Sequence, residues 1–238
     1  MANICYQQLK FKGENGELKK LSDAVIDSLG GETNSGSYEH TWIGNIIKKY
    51  LPEDFDFDRD LSKISCAGWI DYISPIDDDD SVLEIECETK WTPFFHVWDL
   101  LIKKLELKTI KSAYLAEEFG GDIFVIYDEW GAYTEIYGDH TVRIDSYGSP
   151  ELDEMSDIYT EKDAIGILQK FFNTEESDLT KLREMCEDFN DKNFDAADEL
   201  GQSAKLDEFI MVYPFEYIED PFTFETIYEK AEKVVENN

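Results

Sequence analysis

The sequence predicts an α+β fold. A split β-α-β sandwich enlarged by a β-hairpin spans residues 1–145, and an acidic, helix-rich C-terminal region spans 146–238. Three observations carry this expectation. Within Ile85–Leu105 the hydrophobic period changes: residues 82–88 alternate as a strand, Thr92-Pro93 turns a corner, and Phe94–Leu105 has helical spacing. Elements before and after this unit follow the order strand, helix, strand, strand, helix, strand. Hydrophobic residues make up 42% and aromatic residues 14%, so a chain of net charge −32 still has the material for a packed core.

Taken in order, Ile4–Phe11 reads as a strand with Cys5, Gln7, Leu9 and Phe11 on one face and Ile4, Tyr6, Gln8 and Lys10 on the other. A helix follows the Gly13–Gly16 loop and runs to about Leu29, because Leu18, Leu21, Val25 and Leu29 recur at three- and four-residue steps and Gly30-Gly31 stops it. Residues 31–41 read as a polar loop, and Trp42–Leu51 as a short helix ended by Pro52. Strands are expected at Cys66–Ser74 and Val82–Thr89, joined by a hairpin whose tip carries Asp77, Asp78, Asp79 and Asp80. After the helix at 94–105, Thr109–Glu117 reads as a strand. Ile123–Trp130 and Tyr133–Ile144 then read as two more, turned at Gly131-Ala132 and extending the same sheet.

The composition shifts near Tyr147–Pro150. Residues 1–147 carry 14 basic and 29 acidic side chains, and residues 148–238 carry 8 and 25, so the shorter part is the more densely charged. It reads as helices at Glu161–Phe172, Asp178–Phe189 and Phe222–Val235, with a strand-like run at Phe209–Phe215.

This element order is that of ferredoxin-like α/β sandwiches. Several segments also resemble the YubB-type ferredoxin-like family of plasmid, phage and gut-bacterial proteins: Met1-Ala-Asn-Ile-Cys-Tyr-Gln-Gln-Leu9 with Gly13, Ile43-Gly-Asn-Ile46, Gly68-Trp-Ile70, Glu88-Thr-Lys-Trp-Thr-Pro93 running to Trp98, and Glu117-Glu-Phe-Gly120. They fall in family order across residues 1–145, and depart from it at Ile4, where an aromatic is usual, and at Gln7, where Asn is common. The resemblance implies the fold and an association with mobile elements. It implies no catalytic residue and no iron–sulfur cluster, since the chain lacks the cysteine runs that hold one.

A charge of −32 repels nucleic acid and anionic membrane and favours basic protein partners or divalent ions. Cys5, Cys66, Cys87 and Cys186 show no C-x-x-C spacing and read as free, mostly buried thiols. The start Met1–Tyr6 has no basic and apolar leader pattern, and no apolar run reaches the roughly 20 residues that span a bilayer. A cytoplasmic setting is the expectation, with no cofactor.

The candidate chemical groups are few. Trp91, Phe94, Phe95 and Trp98 form an aromatic group that helical spacing turns mainly toward the core, leaving Trp91 the most exposed. His40, His96 and His140 are not within element spacing of one another; His96, beside Asp99, reads as solvated. Glu84, Glu86 and Glu88 alternate against Leu83, Ile85 and Cys87, giving a sheet with one acidic face and one apolar face. Asp54–Asp60 and Asp77–Asp80 are acidic enough for calcium. Asp188–Glu199 resembles an EF-hand loop through Asp188, Asn190 and Glu199, although Lys192 and Asn193 break its pattern. Gly120-Gly121-Asp122 reads as a turn. The chain has no G-x-S-x-G, P-loop or G-x-G-x-x-G.

These features favour a non-enzymatic interaction protein. Its partner-binding candidates are Asp77–Asp80, Trp91 and the acidic C-terminal segment. The alternatives are a DNA mimic acting against host defence, which needs two rows of carboxylates, and a metal-dependent hydrolase with Asp/Glu ligands.

Overall fold

A computed structural model describes residues 4–29, 41–51, 68–90, 93–118, 123–147, 155–199 and 209–221. The fold is mixed α+β, with a six-stranded sheet, a three-stranded sheet and six helices among the described residues. The contacts divide these residues into two units. One runs to Tyr133 and includes the stretch from Tyr217; the other is Thr134–Glu216.

In the first unit, β1 (Ile4–Lys12) leads to α1 (Asn15–Leu29), α2 (Gly44–Tyr50), β2 (Gly68–Ile73), β3 (Val82–Lys90), α3 (Phe95–Lys104), β4 (Lys111–Glu118) and β5 (Ile123–Asp128). The sheet order is β2-β3-β1-β4-β5-β9, in which β9 is the late pair Glu216–Tyr217. The pairs from β2 through β5 are antiparallel. Alternation along β1 sends Cys5, Gln7, Leu9 and Phe11 into the core, where they meet Leu18, Leu21 and Val25 of α1 and Phe95, Trp98 and Leu101 of α3. Full burial of such side chains stabilises by about 1.5–3 kcal/mol each. This helix-covered face is the main core.

Of the corner expected at Thr92-Pro93, Thr92 lies outside the described residues; one buried polar side chain joins β3 to the entry of α3. Gln7, wholly inaccessible, donates from Nε2 to Thr89 Oγ1 at 2.7 Å, and its Oε1 accepts from the Phe94 N–H at 3.1 Å. The start of a helix leaves backbone N–H groups without intrahelical partners, and no side chain of its own caps α3. Gln7 therefore ties the helix entry to the centre of the sheet. At the far end of α3, Glu106 adopts a left-handed φ of 55° and Leu107 N–H returns to the Ile102 carbonyl at 3.1 Å, a Schellman stop. Glu17 of α1 then accepts from the N–H groups of Lys108 and Thr109 and from the Thr109 hydroxyl. Gly13 passes so close that an added Cβ would lie 2.6 Å from Ile110 Cδ1.

The second of the two expected extending strands does not join this sheet. After β5 the Asp128 carboxylate accepts from the N–H groups of Trp130, Gly131, Ala132 and Tyr133 at 2.8–3.2 Å, and Gly131 has a φ of 88°. That curled turn, with Tyr133 Oη donating to the Gln8 carbonyl at 2.8 Å, replaces the hairpin. A short helix α4 (Thr134–Tyr137) follows, and β6 (His140–Tyr147) belongs to the other sheet.

The second unit is a three-stranded antiparallel sheet of order β7-β6-β8, with β7 at Met155–Thr160 and β8 at Phe209–Pro214, accompanied by α5 (Glu161–Phe172) and α6 (Leu179–Glu199). Val142, Ile144, Ile210 and Val212 pack against Ala164, Leu168, Leu182 and Cys186. Thr160 caps α5 by accepting from Asp163 N–H, and Asn173 ends it with a left-handed φ of 49°. The region expected to be mainly helical is thus a helix pair on a sheet. The helix expected at Phe222–Val235 lies outside the described residues, as does Cys66.

Cys5, Cys87 and Cys186 are free and buried. Desolvation pushes the Cys5 and Cys186 thiols up to about 12 and the Cys87 thiol well above its ordinary value. Two outcomes are expected. Mass-mapped iodoacetamide labelling at neutral pH modifies these three cysteines only after denaturation; rapid labelling of any of them in the native protein contradicts their placement. Gln7→Leu strands the buried Phe94 N–H and lowers unfolding stability by about 1–3 kcal/mol in a urea titration, whereas an unchanged midpoint removes Gln7 from this role.

Candidate functional site

The face of the first sheet opposite the helices is built by the same alternation that makes the core. Strand β1 presents Tyr6, Gln8, Lys10 and Lys12, and β3 presents Glu84, Glu86, Glu88 and Lys90. Register sets Glu88 opposite Tyr6, Glu86 opposite Gln8 and Glu84 opposite Lys10. On the other flank of β1, Glu117 of β4 also faces Tyr6. Trp69 of β2 lies opposite Glu88. One row across four strands therefore reads Trp69, Glu88, Tyr6, Glu117. A register shift between Ile70 and Tyr72 inserts Asp71 as an extra residue, so Tyr72 comes opposite Glu86 and Ile73 joins the core side. Toward β4 and β5 this face becomes apolar and buried, through Ala113, Leu115, Phe124 and Ile126.

The cations of this face are already committed. Lys10 pairs with Glu84 at 3.3 Å and lies 5.5 Å from the centre of the Tyr133 ring; Lys12 lies 5.0 Å from Trp130 and Lys90 5.8 Å from Trp69. Asp71, Glu86 and Glu88 form no ion pair among the described residues. They crowd Tyr6, which is 45% exposed. The Tyr6 hydroxyl is pushed up by partial desolvation and then by Glu88, Asp71 and Glu86. Desolvation, then Glu88 and Glu86, push the Asp71 carboxyl up too. The field here is negative, and no described cation pairs with these three carboxylates.

A second titratable cluster lies on the helix-covered side. The fully buried Tyr114 donates to Asp99 Oδ1 at 2.6 Å, with the Tyr127 ring 5.5 Å away. Glu129 accepts the Ser112 N–H at 2.6 Å and hydrogen-bonds the Tyr127 hydroxyl. Burial raises the Asp99 carboxyl from 3.8 to about 6; the Tyr114 hydrogen bond opposes this, Glu129 and Asp220 add to it, and His96 offsets part. Both tyrosine hydroxyls are spent on carboxylates. That is how buried polar groups satisfy one another, and it marks the cluster as structural.

The residues singled out in the sequence are scattered. Asp77–Asp80 form the β2–β3 turn, but much of their capacity is used at home: Asn15 donates to the carbonyls of Asp77 and Asp80, Asp80 Oδ2 accepts the Asp77 N–H, and Lys19 pairs with Asp78 at 2.6 Å. This pairing lowers the Asp78 carboxyl, its hydrogen bond to Lys19 being the main cause. The tip fastens the hairpin to α1. Asp188, Asn190 and Glu199 fall within the continuous helix α6, so the EF-hand spacing lies on a helix where no loop wraps an ion. Asn190 is used structurally, donating to the Ile210 carbonyl at 2.8 Å and accepting its N–H at 3.0 Å. Among the described residues no group of three or more His, Cys, Asp or Glu is placed to hold a metal ion. Trp91, His40, Asp54–Asp60 and Gly120–Asp122 lie outside the described residues.

Phe94, Phe95 and Trp98 are core residues. His96, expected in solvent, is 5% exposed, because the first turn of α3 is buried all round where α3 meets α2 as well as the sheet. His140 is exposed beside Asp139, 3.3 Å away. The sequence missed Tyr6, Trp69 and Asp71 as members of one face. Only cross-strand register and the β2 irregularity bring them together. No helix among the described residues is long and apolar enough to cross a membrane.

Comparison with models of known protein families, with curated proteins and with solved structures finds no match.

The Asp99 pair has a pH signature. With a folded value of about 6 against 3.8, Asp99 binds more protons in the folded state than in the unfolded state between those values. Its favourable contribution is complete below 3.8 and is lost as pH rises through about 6. The whole shift corresponds to about 3 kcal/mol at most. Asp99→Asn, which keeps an acceptor for Tyr114, is expected to be more stable than the parent above pH 6 and to converge with it near pH 4 in thermal melts. A constant difference across that range contradicts the assignment.

Proposed function

We propose that this chain is a non-enzymatic interaction protein that binds a basic protein partner through the open face of its first sheet. The observation that carries the reading is the group of Asp71, Glu86 and Glu88 around the exposed Tyr6, with no cation of the described chain paired to those carboxylates. Such a surface attracts a positively charged segment and repels nucleic acid and anionic lipid.

We also propose that the first unit is a ferredoxin-like sandwich related to the YubB-type proteins, which carries with it an association with mobile elements. The support is the order β1, α1, β2, β3, α3, β4, the arrangement of those four strands as β2-β3-β1-β4, and the segments quoted above.

The DNA-mimic reading asks for two rows of carboxylates. Glu84, Glu86 and Glu88 supply one, and Lys10 neutralises its first member. The hydrolase reading asks for carboxylates converging on an ion, whereas Asp99 and Glu129 are occupied by Tyr114, Tyr127 and Ser112. The interaction reading is the one the geometry favours.

The test is capture of basic proteins from a bacterial lysate at low and high salt, with the parent chain and with an Asp71→Asn/Glu86→Gln/Glu88→Gln variant. Recovery is expected to fall at least about tenfold in the variant and on raising salt several-fold. Equal recovery by parent and variant at low salt contradicts the reading.

A further inference from the structure

We propose that the open face seats an arginine side chain of the basic partner, its guanidinium stacked on the exposed ring of Tyr6 and hydrogen-bonded to the surrounding carboxylates of Glu88, Glu86 and Asp71. The inference rests on the interaction reading above and names the group that reading leaves open.

The face already follows a local rule. Lys10 sits over Tyr133, Lys12 over Trp130 and Lys90 over Trp69, each at 5.0–5.8 Å from the ring centre. Among the described residues Tyr6 and Tyr72 are the exposed tyrosines of this face with no cation over the ring, and Tyr6 is the one set in the cross-strand row between Glu88 and Glu117. Glu88 lies directly opposite on β3, Glu86 is one diagonal step away, and Asp71 is the residue inserted at the β2 irregularity. Directly opposed side chains in an antiparallel pair have Cβ atoms about 5 Å apart. A flat cation on the Tyr6 ring therefore lies within reach of the Glu88 carboxylate.

Chemistry selects arginine within the class of basic side chains. Its guanidinium is planar, stacks on an aromatic face and donates in a fork that matches carboxylates; the lysine ammonium is a compact, strongly hydrated point charge. The site offers a ring face and several carboxylates at once, so it rewards the planar group. Tyr72, 46% exposed, and Ile4, 39% exposed, give apolar surface on the same sheet for the rest of an extended segment. Binding there neutralises charge set close together: Glu88 and Glu86 help to push the Asp71 carboxyl up, and all three help to push the Tyr6 hydroxyl up.

The experiment uses the full chain and three fluorescent peptides of equal length: an arginine-rich one, a lysine-rich one of equal charge, and a citrulline counterpart. Anisotropy at low salt is expected to show the arginine peptide binding roughly fivefold to tenfold tighter than the lysine peptide, with the citrulline peptide silent. Tyr6→Phe is expected to keep this preference. Tyr6→Leu is expected to erase it, and Glu86→Gln/Glu88→Gln to weaken both basic peptides. Titrating the arginine peptide into the unaltered chain is also expected to shift the Tyr6 ring resonances in the NMR spectrum, which needs no variant to fold. If Tyr6→Leu keeps the full arginine preference, or the ring resonances stay still while the carboxylate variants lose binding, the seat is overturned and the acidic face stands. If the unaltered chain binds neither basic peptide at low salt, both fall.

Discussion

One buried amide fixes the geometry on which the first unit depends. Gln7 sits in the central region of the sheet with no solvent to satisfy it, and its two hydrogen bonds reach Thr89 at the end of β3 and the N–H of Phe94 at the entry of α3. A buried amide left unbonded costs about 1–3 kcal/mol, so β1, β3 and α3 are held to one mutual arrangement. Slipping β1 by a single residue would turn Gln7 outward and bring Tyr6, Gln8 and Lys10 into the core. The amide therefore specifies which face of β1 is inside, beyond whatever it adds to stability.

From that choice comes the separation of charge. Odd-numbered residues of β1 and β3 are apolar or satisfied, and even-numbered ones carry most of the charge of these strands. Lys10, Lys12 and Lys90 lie on this face, engaged with Glu84 and with three aromatic rings. Where they do not reach, around Tyr6, the carboxylates face one another across two strands and an inserted residue. A fold selected for stability alone gains nothing from that concentration, because like charges set close together repel. A basic partner, as proposed above, would offset that concentration.

The sequence makes the first unit legible because its periodicities agree with its packing. The two faces of β1, the helix ending at Leu29, the hairpin at Asp77–Asp80 and the helical spacing of α3 all follow from spacing and from Gly or Pro punctuation. The misreadings arise where a side chain overrides the local pattern. Asp128 gathers four backbone N–H groups and curls the chain away from a hairpin, which moves β6 to a different sheet. Asn190 bonds to β8 and so does not compete for its own helix backbone, which lets α6 run past Phe189 through an Asp- and Asn-rich stretch. β7 gave no signal because Met155–Thr160 mixes polar and apolar residues without clean alternation. The acidic open face was foreseen from Glu84, Glu86 and Glu88, but Tyr6 as its centre depends on register, which a single strand does not encode.

β1 lies between β3 and β4 in the one register that puts Tyr6 between Glu88 and Glu117 on the outer face. Cross-strand nuclear Overhauser contacts in an isotopically labelled sample test it most directly. Backbone contacts are expected at the pairs Tyr6 with Glu88, Gln8 with Glu86 and Tyr6 with Glu117, together with a slowly exchanging Phe94 amide. Contacts displaced by one residue, setting Tyr6 opposite Cys87 or Thr89, would contradict the register, the buried role of Gln7 and the acidic face together.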